Sequence, residues 1–407
     1  MLTPQSIHMI HVINKMPFVS EFLETYNKPF TKTGFQFLET LLTRLEAAQE
    51  AWKAQKAQIM ESRIIRGQIP KSTDFNYMPS EIGQLIDETS VLQNTYTMNM
   101  PSRTFTIEIV LTNNQSAERQ IRNVLYKAFL WFHLADGFTS STCSSRVHVY
   151  LYLTSHTKRL PMVKTTVVSQ LHVNTAFTTG CQTETTIHVY RKEEWFKVLI
   201  HESFHNLGLD FLGIDPNWLS QANDQLKSWF HLNIPDLRFY ESYCEMCAEI
   251  LNALMYCFFT HRSKKGESDK IIKSLHTCLT YESVFSMLQC AKLLRHNGLS
   301  YEDFFKDPEK VRQSYKENTQ AFSYFVIKGI YMIHFVDFVH LVAGWKTLKF
   351  PHNKKEFFKY LKLVKDKMKS NKMVTGMKYI ENWLHAQTPS PKSYELCTLR
   401  MSLLEFI

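Results

Sequence analysis

The stretch TTIHVYRKEEWFKVLIHESFH, Thr185 to His205, reads as a strand running directly into a helix. Its first third, Thr185 to Arg191, is β-branched and aromatic, with Ile187 and Val189 on one face. From Glu193 to Leu207 the period changes. Trp195, Val198 and Leu199 recur at helical spacing, and no Pro or Gly intervenes before Gly208. Glu193 and Glu194 fall in the expected first turn, where the helix dipole favours acids. On such a helix His201 and His205 lie four residues apart and share a face, so both imidazoles can grip one ion. Glu202 follows the first of them and can reach an open coordination position, where it would accept a proton from metal-bound water. Zinc is the ion this donor set suits.

Upstream, the elements follow in a consistent order. Phe105, Ile107, Ile109 and Leu111 alternate with mostly polar neighbours, as do Val147, Val149, Leu151 and Leu153, and both runs read as half-buried strands. Between them Ser116 can cap a helix reaching about Leu134, with Ile121, Leu125, Ala128 and Phe132 along one stripe. Leu171 to Thr179 reads as a further strand, ended by Gly180.

This order of strand, helix, strand, strand, strand and histidine helix resembles the zincin metallopeptidase superfamily over roughly Arg103 to Leu254. The resemblance implies an α+β fold, with a twisted mixed sheet as upper lobe above the HExxH helix. It also implies a sheet-edge strand that pairs with an extended polypeptide substrate. By position that edge is Asn174, Thr175, Ala176, Phe177 and Thr178, running to Thr179. The implied activity is hydrolysis of peptide bonds, with one Zn2+ bound and Glu202 as general base.

A catalytic zinc ion usually has three protein ligands and a water, so a third donor is expected downstream. Glu241, Ser242, Tyr243, Cys244, Glu245, Met246, Cys247, Ala248 and Glu249 open a second helix with acids on one face. Glutamate-ligand zincins, thermolysin-like and neprilysin-like, carry a Glu on such a helix and an acid four residues later that holds a ligand histidine. Glu241 and Glu245 match that spacing, with Glu at the second position where those families commonly have Asp. The resemblance thus assigns Glu241 as third ligand and Glu245 as its supporting acid, with the reverse assignment open. Gly208 starts a competing pattern, in which the chain turns and supplies a ligand three residues later. That position is Phe211, which cannot bind zinc, so Asp210 is the alternative ligand. Taken alone, the three glutamates would read as a solvated face, and Cys244 and Cys247 as small buried thiols. Tyr240, Tyr243, His231 and His261 are the nearby donors for an oxyanion, and nothing in the sequence selects one.

The 407 residues, 44% hydrophobic and 13% aromatic, suffice for a folded chain of two or three units. The expected division is a helical N-terminal region at 1–98, a zincin-like core at 99–260 and a helical C-terminal lobe at 261–407. In the first region Phe35 to Gln58 reads as a long amphipathic helix and Lys71 to Pro79 as an irregular break. Eight cysteines without paired spacings, and no basic-plus-apolar leader around Met9 to Ile13, point to an intracellular, cytoplasmic setting rather than secretion. The longest apolar run, Ala321 to Trp345, contains Lys328, His334, Asp337 and His340 and reads as a buried helix, with no transmembrane segment.

The net charge of +9 is concentrated in the segment 346–372, where Lys354, Lys355, Lys359, Lys362 and Lys365 accompany Phe357, Leu361 and Val364 at helical spacing. The segment is a candidate contact for an anionic partner or surface, and an ordinary solvated face is the simpler reading. Lysine rather than arginine argues against nucleic acid. The helical additions resemble those of metallopeptidases carried by large DNA viruses. That likeness implies a virion-associated viral protein, and a noncatalytic zinc-stabilised assembly component is the alternative to an enzyme.

Overall fold

Among the described residues eight strands are formed: β1 Arg63–Arg66, β2 Ser90–Asn99, β3 Thr104–Thr112, β4 Arg146–Thr154, β5 Val168–Ser169, β6 Ala176–Thr178, β7 Glu184–Arg191 and β8 Glu317–Asn318. They come from a computed structural model, which describes residues 1–26, 28–60, 63–66, 73–112, 118–140, 142–261, 267–388 and 393–406. The fold is α+β, with a mixed sheet in the order β1-β2-β3-β4-β7-β6. The centre, β3, β4 and β7, is parallel, and the flanks are antiparallel. β3 and β4 need a crossover, which helix Glu118–Asp136 supplies. The expected cap at Ser116 lies outside the described residues.

Period-two alternation decides which face is covered. Phe105, Ile107 and Ile109 of β3, Val147, Val149 and Leu151 of β4, and Ile187 and Val189 of β7 all point into the main core. Phe105 stacks on Phe132 of the crossover helix at 3.8 Å between centroids. On the other face Val110, Tyr152 and Tyr190 form a smaller cluster with Ile82 and Ile86 of helix Ser80–Thr89.

Several expectations need correcting. Residues 1–98 are not a separate helical unit, because β1 and β2 join the sheet and β2 crosses the expected boundary. A single apolar cluster runs from Met9 to Phe406, so the three regions share one core. The strand expected at Leu171 to Thr179 is broken. Gln170–Val173 is a helical turn, and the strand that pairs with β7 is the short Ala176–Thr178. Within the expected irregular break, Thr73–Tyr77 forms a 3-10 turn, and Lys71 lies outside the described residues. Cys143 and Cys181 are joined as a disulfide, although 38 residues separate them. The reading of cysteines without pairing therefore fails for these two.

The apolar run folds as a π-helical segment Phe322–Ile327 and helix Lys328–Ile333, then bends by 89° at His334 into helix Phe335–Trp345. Among the described residues no single helix is long and apolar enough to cross a membrane, and only this bent pair matches one by length and composition. Its first twelve residues, 322–333, are all buried. The Lys-rich segment forms helix Lys354–Lys367, which buries Phe357, Tyr360, Leu361 and Val364 and turns most of its lysines outward.

The last residues thread beneath the histidine helix. Glu282 accepts from the Leu403 and Leu404 amides at 2.7 and 2.8 Å, and Glu194 from the Ser402 amide at 2.6 Å.

Candidate metal centre

Helix Trp195–Asn206 carries the histidines, and nearly all of its side chains are buried. It packs closely against the second helix, Phe239–Thr260, which holds the acids. Glu194 is not in the first turn as expected. It adopts a left-handed conformation, φ 59°, as N-cap and turns its carboxylate onto the chain's last segment and onto Lys158 at 2.8 Å. Glu193 likewise faces inward and accepts from the Lys158 amide at 2.6 Å.

The helix ends in a Schellman turn. Leu209 N–H donates to the Phe204 carbonyl at 2.8 Å and Gly208 N–H to His205 at 3.2 Å. This requires Gly208 at φ +63°, where an added Cβ would come within 2.7 Å of Leu212. The turn sends Asp210 back beneath the helix, where its Oδ2 lies 2.7 Å from His205 Nδ1.

The other ring nitrogens converge. His201 Nε2 and His205 Nε2 are 3.2 Å apart, and Glu241 Oε2 lies 3.2 Å from the first and 3.3 Å from the second. Bonds of about 2.0–2.1 Å to a tetrahedral ion require donor separations of roughly 3.3 Å, so this triangle has the dimensions of a zinc face. On the reverse side, Glu245 Oε2 lies 2.9 Å from His201 Nδ1, and its other oxygen, Oε1, pairs with Lys197. Each histidine thus has an acid near its outer nitrogen: Asp210 hydrogen-bonds His205 Nδ1, which favours the tautomer that leaves Nε2 free, and Glu245 lies at ion-pair distance from His201 Nδ1.

Burial pushes the Glu241 carboxyl up, but His205 and His201 outweigh it and hold it well below the usual range. Glu245 is likewise raised by burial and pulled down further by Lys197 and His201. Both are therefore anionic, as a ligand and an orienting acid must be. Glu202 differs. Burial raises it above an ordinary Glu, His201 and His205 offset only part of that, and it has no hydrogen bond among the described residues. A carboxylate of raised basicity beside the donor triangle suits proton transfer.

A second donor group, His205, Asp210 and Cys244, could also hold an ion on the Nδ1 side. Burial pushes the Cys244 thiol up to about 12, so without an ion it is a protonated thiol. Cys247 is also buried and raised, so both cysteines read as core thiols.

The centre opens into a cavity of about 670 Å3, with β6 along one side. Ala176, Phe177 and Thr178 line it and form the sheet edge. Asn174 lines it too but precedes the strand, and its side chain accepts from Thr319 at 2.9 Å. Thr175 is buried, with its carbonyl taken by the Tyr190 amide at 3.0 Å.

Of the four oxyanion donors considered from sequence, only Tyr240 lines the cavity, its ring 5.6 Å from His205. Tyr243 is buried and donates to the Leu348 carbonyl, and His261 pairs with Ser274. Sequence reasoning missed Tyr324, which enters from the π-helical segment and packs 6.0 Å from the His201 ring, with its hydroxyl pushed up by burial and by Glu241 and Glu202. It also missed Asn206, whose amide donates to Thr178 Oγ1 at 3.0 Å and to the Thr179 carbonyl at 3.3 Å, tying the metal helix to the edge strand. Tyr324 is far along the chain, but Asn206 directly follows the second histidine and was in plain view.

No family model matches the chain, and no curated protein or solved structure matches it either.

Proposed function

We propose that this protein is a zinc-dependent peptidase of the glutamate-ligand zincin type that hydrolyses peptide bonds of an extended polypeptide. The observation that carries the reading is the triangle of His201 Nε2, His205 Nε2 and Glu241 Oε2, with sides of 3.2, 3.2 and 3.3 Å. His201, His205 and Glu241 would hold the ion, with Glu245 and Asp210 orienting the two rings. Bound there, zinc supplies Lewis acidity, which acidifies water and polarises a carbonyl.

The remaining work belongs to the chain. The free edge of β6 offers backbone donors and acceptors to an extended peptide, which aligns the scissile bond along the cavity. Glu202 takes a proton from the attacking water and returns it to the leaving amine, so the carboxylate is regenerated. The Tyr324 hydroxyl donates to the developing oxyanion. The helical elements after Phe239 would form the lower lobe that closes the cleft.

A noncatalytic, zinc-stabilised assembly protein would need the three ligands but no base at a vacant ligand position. The placement of Glu202 in the cavity wall favours the enzyme. The test is Glu202→Gln. Purified wild type should contain one zinc per chain and cleave an unstructured polypeptide such as casein, and the variant should keep the zinc and lose cleavage. A wild type that binds zinc and cleaves nothing in a diverse peptide library would leave the scaffold as the answer.

A further inference from the structure

The 89° bend at His334 leaves a second cavity, of about 250 Å3, between helix Val19–Tyr26, helix Ser268–His296 and the start of helix Asn371–Ala386. Lys28, Lys367 and Lys372 line it from segments far apart in sequence. Asp337 is the only carboxylate among the described residues that line it, and it is engaged by Lys367 at 2.6 Å. Lys28 and Lys372 have no carboxylate partner among the described residues. The Lys372 ammonium has instead the Tyr26 carbonyl at 3.5 Å and the Tyr26 ring at 5.9 Å.

Three lysines that line one concave space, Lys28 at its exposed side and Lys367 and Lys372 less exposed, repel each other, and this repulsion is unfavourable unless an anion relieves it. Burial, helped by Lys28 and Lys367 and opposed by Asp337, pushes Lys372 down to about 8, so it still carries charge near neutral pH. Two helices also begin at this cavity, Phe335–Trp345 and Asn371–Ala386, and helix starts favour anions. Ser283 and Ser370 contribute hydroxyls, the latter 2.8 Å from His334 Nε2. The remaining wall is apolar, with Phe22, Tyr26 and Phe335, and the space approaches the ~300 Å3 at which pockets take small organic molecules.

We propose that this cavity binds a phosphomonoester, with its phosphate among Lys28, Lys367 and Lys372 and its organic group against Phe22, Tyr26 and Phe335. Two lysines without carboxylate partners match the charge of a phosphate dianion, which ammonium groups bind as point charges without the bidentate fork that arginine provides. This site uses two lysines of the 346–372 segment, but through their inward ends rather than the exposed face.

The probe is phenyl phosphate, titrated into the full chain by calorimetry and thermal denaturation at constant ionic strength, with inorganic phosphate and sodium chloride in parallel. Saturable binding of phenyl phosphate, tighter than that of inorganic phosphate, is the expected result. Lys372→Ala should weaken it at least tenfold. Lys28→Ala, which alters an exposed side chain and so leaves folding intact, should do the same, whereas Lys354→Ala on the outer face should change nothing. Undiminished binding to Lys28→Ala and Lys372→Ala, equal affinity for both phosphates, or a shift that sodium chloride reproduces would each overturn the assignment.

Discussion

Replacing Glu241 by Gln and, separately, Asp210 by Ala tests the ligand assignment directly. Glu241 Oε2 lies 3.2 and 3.3 Å from the two imidazole nitrogens, so an ion held there would take it as a direct ligand. Zinc binding worth about 10–16 kcal/mol, shared among four donors, assigns roughly 2.5–4 kcal/mol to each, or a loss of about 60- to 700-fold in affinity. Asp210 would act on a bound metal only through the 2.7 Å contact to His205 Nδ1. Removing such an outer partner typically costs about 10–100-fold. Zinc affinity would be measured by competition with a chromogenic chelator at fixed pH, with far-ultraviolet circular dichroism to show that both variants fold. Glu241→Gln should be the weaker binder by about tenfold or more. If Asp210→Ala proves the weaker, the third ligand lies on the turn after Gly208 and the triangle has been misread.

Tyr324→Phe should lower kcat by about 10²–10³ with little change in KM or zinc content, the signature of a lost oxyanion donor; retained kcat would reassign that role, with Tyr240 next in line. Asn206→Ala should raise KM for extended peptides several-fold, because the edge strand loses the amide that holds Thr178 and Thr179, and an unchanged KM would separate that strand from substrate binding. His188 is fully buried between Phe177 and Tyr150, at 4.5 Å from each ring, and burial pushes it down to about 4. Between that value and the unfolded value of about 6.5 the unfolded chain binds the extra proton, so stability should fall as pH drops from 6.5 to 4, by up to about 3 kcal/mol. Urea denaturation across that window would show the slope, and His188→Phe should flatten it; an equal slope in the variant would place the dependence elsewhere.

How much of this was legible in the sequence depended on range. The strand and helix of Thr185 to His205, and the i, i+4 acids of Glu241 and Glu245, are local periodicities, and the fold places them on β7 and on two packed helices. β2 was hidden because both of its faces carry a buried polar residue, Asn94 beside Ile109 on the core face and Gln93 beside Val110 on the other, which breaks the apolar alternation. Asp210 was weighed as a ligand because its spacing was nearly right. Only the handedness imposed by Gly208 shows that it meets the outer nitrogen of His205. Tyr324 depends on how a π-helical segment packs over the cleft, which no spacing rule reports.

The segment that threads beneath the histidine helix also sets an order of events during synthesis. The Met401 and Ser402 amides bond to Glu194, 207 and 208 residues earlier in the chain, and those of Leu403 and Leu404 to Glu282. A nascent chain that has released the helix but not yet residues 401–404 has two carboxylates buried without their amide partners, which is costly. Glu194 and Glu282 therefore gain their full set of partners only once residues 401–404 have joined the fold.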